Sequence, residues 1–191
     1  MIIQNLSKKF GDKSIFDNNS FAFEDGRVTY ILGESGIGKT TLLRIIAGLD
    51  KDYTGKIIGK QEKVSYVFQE PRLFPNLNVE QNIQIVCDSS KYTVDEILKI
   101  LELDMEKHSY PASLSGGMKM RIALARAIYN NGDLFIMDEP FSALDDDLKS
   151  RILPKIFKLL DDKTIIIVSH NIEEAQKYAH NIINFNTIWN Q

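Results

Sequence analysis

Gly33-Glu34-Ser35-Gly36-Ile37-Gly38-Lys39-Thr40-Thr41 has the residue types and the spacing to hold a polyphosphate. Glycines at 33, 36 and 38 allow positive φ, so the backbone N–H groups turn inward with no side chain in the way. Lys39 is a point charge for the β- and γ-phosphates of a nucleoside triphosphate, and the Thr40 hydroxyl is a ligand for Mg²⁺. The flanks agree with this chemistry. Residues 28–32 are short, apolar and β-branched enough for a buried strand, and residues 40–47 read as a helix whose N-terminus adds roughly half a positive charge.

Two further constellations carry chemistry. Asp138 and Glu139 end the apolar run 134–137, at the carboxyl end of a strand, where ligands bind in open α/β sheets. Asp138 is suited to hold Mg²⁺ directly or through its water. Glu139 is suited to polarise a water for in-line attack on the γ-phosphate, a role worth roughly 10²–10⁴-fold in rate. The second constellation is Ser115-Gly116-Gly117, a capping serine followed by two glycines at the start of a helix expected to run to about 127 or 128. Each glycine weakens that helix by up to about 1 kcal/mol relative to alanine. Bare N–H groups at a helix N-terminus form an anion site, which supplies a physical reason for that cost.

The elements that must position these groups alternate along the chain. Strands are expected at 2–6, 21–23, 28–32, 56–58, 64–68, 134–137, 164–168 and 182–185. Helical spacing places Val79, Ile83 and Val86 on one face, and Val94, Ile97, Leu98 and Leu101 on another. A helix is expected near 172–178, and Pro154 should kink or restart the helix spanning 146–160. This order predicts one α/β domain over 1–191. The expected architecture is that of a P-loop NTPase, with a mostly parallel sheet core, a small antiparallel β flank and a helical subdomain at about 72–128, of which 72–114 is a helical insert.

Composition narrows the classes. With 23 Lys and Arg against 26 Asp and Glu, the net charge of −3 gives no reason to expect nucleic acid or an anionic membrane surface as the main partner. No apolar run approaches a membrane span, and the start lacks a signal-peptide layout, so a cytosolic chain is expected. Cys87 is the only cysteine, which excludes an internal disulfide, and it is expected to be a packed or surface residue. Asp146, Asp147, Asp161 and Asp162 read as solvated acids, and His108 and His180 as surface or packing residues.

In their order along the chain these residues resemble an ATP-binding cassette (ABC) ATPase, the nucleotide-binding subunit of an ABC transporter. The resemblance covers essentially the whole chain. It implies that Phe10 stacks on adenine, that Gln69 touches both Mg²⁺ and the attacking water, and that residues 114–118 are the signature sequence. It further implies that residues 142–145, with Asp145, form the D-loop and that His170 hydrogen-bonds the γ-phosphate. In the family the signature of one subunit covers the ATP held by another. The implied partners are therefore a second copy or a homologous ATPase subunit, integral membrane permease subunits and, indirectly, a solute-binding protein. The implied place is the inner face of the cell membrane.

Residues 70–77 resemble the surface that docks the permease, which would leave Leu73 and Phe74 exposed; packing of the insert is the other reading of those two. Met118 replaces the commoner glutamine, and the pattern 114–119 resembles the nitrate, sulfonate and taurine importer branch. The chain stops soon after Phe185, where no regulatory tail is expected. A soluble ABC-type ATPase without a transport role is the alternative. The chain shows neither two cassettes nor a long coiled coil between phosphate loop and signature, features that many such proteins carry.

Overall fold

The computed structural model describes residues 1–87 and 90–188, with the side chains of 187 and 188 left aside; residues 88–89 and 189–191 of the expected domain lie outside the described residues. β3 (Val28–Leu32), β6 (Leu134–Asp138) and β7 (Thr164–Val168) are buried at every position, as continuous apolar strands covered on both faces must be. With β5 (Val64–Val67) and β8 (Asn181–Asn184) they form a parallel sheet in the order β5-β6-β7-β3-β8. Ile31 pairs with Val168 and Val168 with Asp138, so the carboxyl ends of the three central strands lie level. The loops leaving that edge carry Gln69, the phosphate loop, Glu139 and His170.

Alternation along these strands sends side chains to two separate cores. On one face Tyr30, Phe135, Met137, Ile165 and Ile167 pack with the helical layer. That layer comprises α2 (Val79–Gln84), α3 (Val94–Ile100), α4 (Gly116–Asn130), α5 (Asp146–Leu159) and α6 (Ile172–Tyr178). On the other face Ile31, Ile136, Ile166 and Val168 meet Leu42, Leu43 and Ile46 of α1 (Lys39–Ile46). There they also meet Ile3, Leu6, Phe16 and Phe21 from an antiparallel sheet of order β2-β1-β4, made of β1 (Ile2–Phe10), β2 (Lys13–Ala22) and β4 (Thr54–Ile58). Burying each such side chain contributes about 1.5–3 kcal/mol, so both cores hold the sheet edge rigid under the site.

The expected architecture is present, with local differences. β1 and β2 are much longer than their apolar runs 2–6 and 21–23, because this outer sheet exposes polar positions and several register shifts break the alternation. α2 ends at Gln84, so Val86 is exposed instead of sharing the buried face, and Cys87 donates its thiol to the Tyr129 carbonyl at 3.5 Å from the following turn. α5 runs unbroken through Pro154: the ring is exposed while Ile152, Leu153 and Ile156 are buried on either side of it. Their packing outweighs the roughly 3 kcal/mol penalty of an interior proline. The final strand starts one residue early, and Phe185 opens a short helix, α7 (Phe185–Ile188).

Glu102, just past α3, ties the helical layer together. Its backbone is left-handed at φ 54°. Its carboxylate accepts from Arg151 Nε and Nη2 of α5, both at 2.9 Å, and its carbonyl accepts from Arg121 Nη1 of α4 at 3.0 Å.

Candidate functional site

The phosphate loop turns between β3 and α1. Gly38 has φ 112°, and a Cβ there would lie 2.7 Å from Ile15 Cγ2; Gly36, at φ 77°, faces open space. Only glycine fits both the conformation and the close approach at 38. Lys39 is 6% exposed, and its Nζ donates to the Gly33 carbonyl at 2.6 Å and the Glu34 carbonyl at 2.7 Å, folding the loop over its own ammonium. The Thr40 hydroxyl donates to Asp138 Oδ2 at 2.8 Å. Outside the loop, the Glu34 N–H donates to Asn186 Oδ1 at 3.1 Å.

Asp138 and Glu139 are 3% and 8% exposed. Glu139 adopts a left-handed backbone at φ 51°, with its N–H donating to the Val168 carbonyl at 3.0 Å and its carbonyl accepting from the Ser142 hydroxyl at 2.9 Å. This turn aims its side chain across the sheet edge toward β7. His170 Nε2 reaches Glu139 Oε1 at 2.9 Å, an ion-pair distance without hydrogen-bond alignment, so that buried oxygen has no aligned donor.

The electrostatics follow from burial. Desolvation pushes both carboxyls above the ordinary carboxylate range. At Asp138 it is opposed by the Thr40 hydrogen bond and Lys39, and at Glu139 by His170 and Lys39. Desolvation pulls Lys39 down, opposed by Glu139 and Asp138. Three buried ionisable groups therefore balance one another at a single point.

They converge on one cavity of about 350 Å³. Of the residues singled out in the sequence, Phe10, Ser35, Gly36, Gly38, Lys39, Thr40, Thr41, Gln69, Asp138, Glu139 and His170 all line it. Ile15 and Val168 complete the wall without having been legible as site residues. Gly33, Glu34 and Ile37 belong to the loop but not to the lining, and the Ile37 side chain packs in the core beside α1. Ser115, Gly116, Gly117 and Asp145 lie away from the cavity. Ser115 and Gly116 are exposed, with Ser115 Oγ accepting from the Met118 N–H at 3.2 Å, and Asp145 caps α5 by accepting from the Leu148 N–H at 2.8 Å.

The ABC transporter family model matches residues 16–142, from within β2 to just past Glu139. The chain belongs to the ABC transporter family. It is an ABC ATPase domain. It is 38% identical to the aliphatic sulfonates import ATP-binding protein SsuB of Bacillus anthracis, over 92% of this chain and 75% of that protein. It is 36% identical to SsuB 2 of Pseudomonas syringae pv. tomato, over 88% and 74%. Among solved structures it matches the dimeric bacterial ABC transporter cassette MJ0796, with TM-score 0.82 and 28% identity, covering 97% of this chain and 95% of that one. The same cassette in a dimeric post-hydrolysis state bound to ADP and Pi gives TM-score 0.83 at 29% identity, covering 96% and 94%.

The structure adds groups to this ABC ATPase that its sequence motifs do not name. Ser169 accepts from the Asn171 N–H at 3.1 Å, and Asn171 accepts from the Glu174 N–H at 2.9 Å, pinning the turn that presents His170. Gly117 has a packing role as well: a Cβ there would lie 2.9 Å from the Ala143 carbonyl oxygen. Leu73, expected to be exposed, is partly buried against the helical core, whereas Phe74 is exposed.

Proposed function

We propose that this chain binds MgATP in the Lys39 cavity and dimerises with a second copy or a homologous ATPase subunit around it. Hydrolysis then powers transport, in the import direction, by permease subunits at the inner face of the cell membrane. The single observation carrying this reading is the segregation of the site. The phosphate loop, acids, Gln69 and His170 share one cavity, while the Ser115 turn stands exposed elsewhere and is free to face a neighbour. Among the described residues no helix is long and apolar enough to cross a membrane, so a permease would supply the passage. Chain 1–191 works as one ABC ATPase domain with its helical subdomain at about 72–128.

Mg²⁺ fits the residues present. Among the described residues no cluster of three or more His, Cys, Asp or Glu offers a closed metal cage. The hydroxyl of Thr40 and the carboxylate of Asp138 are hard oxygen donors 2.8 Å apart, with the Gln69 amide lining the same cavity. That set suits a hard cation that completes its shell with phosphate oxygens and water. Bound there, Mg²⁺ neutralises charge on the triphosphate.

This chain's own groups do the remaining work. Lys39 exchanges its two carbonyl partners for phosphate oxygens. Glu139 Oε1, buried and without an aligned donor, accepts a proton from the attacking water, and His170 holds the γ-phosphate. Phe10, 54% exposed at the cavity mouth, offers a ring face to the base. Ser115, Gly116, Gly117 and Asp145 complete the partner's site. The names of the sulfonate-import relatives favour a small anionic cargo delivered by a solute-binding protein.

Measurement of Glu139→Gln tests this. Turnover is expected to fall by about 100-fold or more, with MgATP binding retained and an ATP-bound dimer accumulating on size-exclusion chromatography. Undiminished turnover would reject Glu139 as the base. A soluble ATPase role predicts instead that no membrane protein co-purifies with the native chain.

A further inference from the structure

The loop that carries Gln69 is held by a cation from an unexpected direction. Arg126, on α4, donates from Nη2 to the Pro71 carbonyl at 3.0 Å and from Nη1 to the Arg72 carbonyl at 3.1 Å. Among the described residues no carboxylate pairs with it, and burial alone pulls its guanidinium down. A half-buried cation without a counter-charge is costly, and its polar partners among the described residues are two backbone oxygens. Fastening a surface loop does not require such a group. Its planar fork, however, fixes the direction of two adjacent carbonyls at once.

The rest of the loop is braced around the same point. The Arg72 guanidinium lies 4.1 Å from the centre of the Phe68 ring, and Phe68 stacks on Tyr66 at 4.2 Å. Arg72 itself is left-handed at φ 47°. Beyond it, the fully buried Asn82 amide accepts from the Phe74 N–H at 2.8 Å and donates to the Phe74 and Leu77 carbonyls. Gln69 is thus an exposed residue, with Glu70 after it, between an aromatic stack and a clamped turn, and it lines the cavity.

We propose that Arg126 is a positioning residue for the reaction: it sets Gln69 at the reacting end of the cavity and links that loop to the helix whose tip is Ser115. Arg126 follows Ser115 by about three turns of one helix, roughly 16 Å, so both lie on nearly the same face of α4. A displacement of the Gln69 loop is thereby carried to the Ser115 end. This inference rests on the reading of Gln69 as a site residue.

The test is a double-mutant cycle on the full chain with Arg126→Met, Gln69→Ala and both together, measuring kcat and KM for MgATP and the melting temperature. Arg126→Met is expected to lower kcat by roughly 10–100-fold through misplacement of Gln69. KM should stay nearly unchanged, the double variant should be no slower than Gln69→Ala, and added guanidinium ion should partly restore the rate. Arg126→Lys, which keeps the charge but loses the fork, should be intermediate and serves as the foldable variant if the methionine chain does not fold. Losses that multiply in full in the double variant, or an unchanged kcat in Arg126→Met or Arg126→Lys, would overturn the role of Arg126 while leaving Gln69 in place. An unchanged kcat in Gln69→Ala alone would overturn the reading of Gln69, and this inference with it.

Discussion

His170 Nε2 stands 2.9 Å from Glu139 Oε1, close enough for charge to act but out of line for a hydrogen bond. The imidazole thus draws the carboxyl down without a hydrogen bond on the oxygen proposed to accept a proton. Burial still dominates and holds Glu139 above its ordinary value of 4.5. In its proposed role as base, Glu139 works only when ionised. The rate constant kcat/KM is therefore expected to rise with pH along a limb displaced above that value. In His170→Ala the loss of the opposing pull moves the limb to higher pH, and turnover drops by about 100-fold. A pH–rate profile of both proteins decides this; a limb at or below 4.5 contradicts it.

Asp138 predicts a stability effect of opposite sense to the usual carboxylate. Its folded value is raised by burial, so the folded chain binds its proton more tightly than the unfolded chain. The stability from this group is present below the ordinary carboxylate range and is lost as pH rises through the raised folded value. Asp138→Asn, which still accepts the Thr40 hydroxyl bond, should melt about 2–4 °C higher than the parent near neutral pH without nucleotide. The difference should shrink in acid, and the extra stabilisation by MgATP should disappear. A variant that melts lower at every pH contradicts the assignment.

Segregation of the cavity from the Ser115 turn predicts complementation between two dead proteins. Lys39→Ala removes the cradle, and Ser115→Arg blocks the opposite contribution. Each alone should be inactive. Mixed in equal amounts, half the dimers carry one intact site, so activity should return to roughly a quarter of the parent's. A mixture as inactive as its components would show that the two groups do not meet across a dimer.

Gly116 and Gly117 should part company on substitution. Gly116 has open space around its missing Cβ, so Gly116→Ala is expected to raise the melting temperature modestly through helix propensity worth up to about 1 kcal/mol. Gly117→Ala places a carbon 2.9 Å from the Ala143 carbonyl and should destabilise by about 1–3 kcal/mol. Thermal melts of the two variants, compared in the same buffer, are sufficient.

The sheet and the cavity were legible because their signals are local. Val28–Leu32, Leu134–Asp138 and Thr164–Val168 are continuous apolar runs, and each is followed at once by the groups it positions. The outer sheet was read poorly because Lys13–Ala22 mixes exposed polar residues with a few anchors such as Phe16 and Phe21, so no period survives. The helix continues past Pro154 without restarting because local backbone chemistry is outweighed by burial of Ile152, Leu153 and Ile156. Asn186, which accepts from the Glu34 N–H, and Arg126, which grips Pro71 and Arg72, act over 152 and about 54 residues of sequence, a distance at which spacing carries no signal.

Glu102 joins three stretches far apart along the chain: the end of α3, Arg121 on the helix that begins behind Ser115, and Arg151 on the helix capped by Asp145. The two helices whose tips are Ser115 and Asp145 thus share one anchoring residue. The helical layer should therefore shift as a single lever, so that the two contributions proposed for a neighbouring copy arrive and depart together.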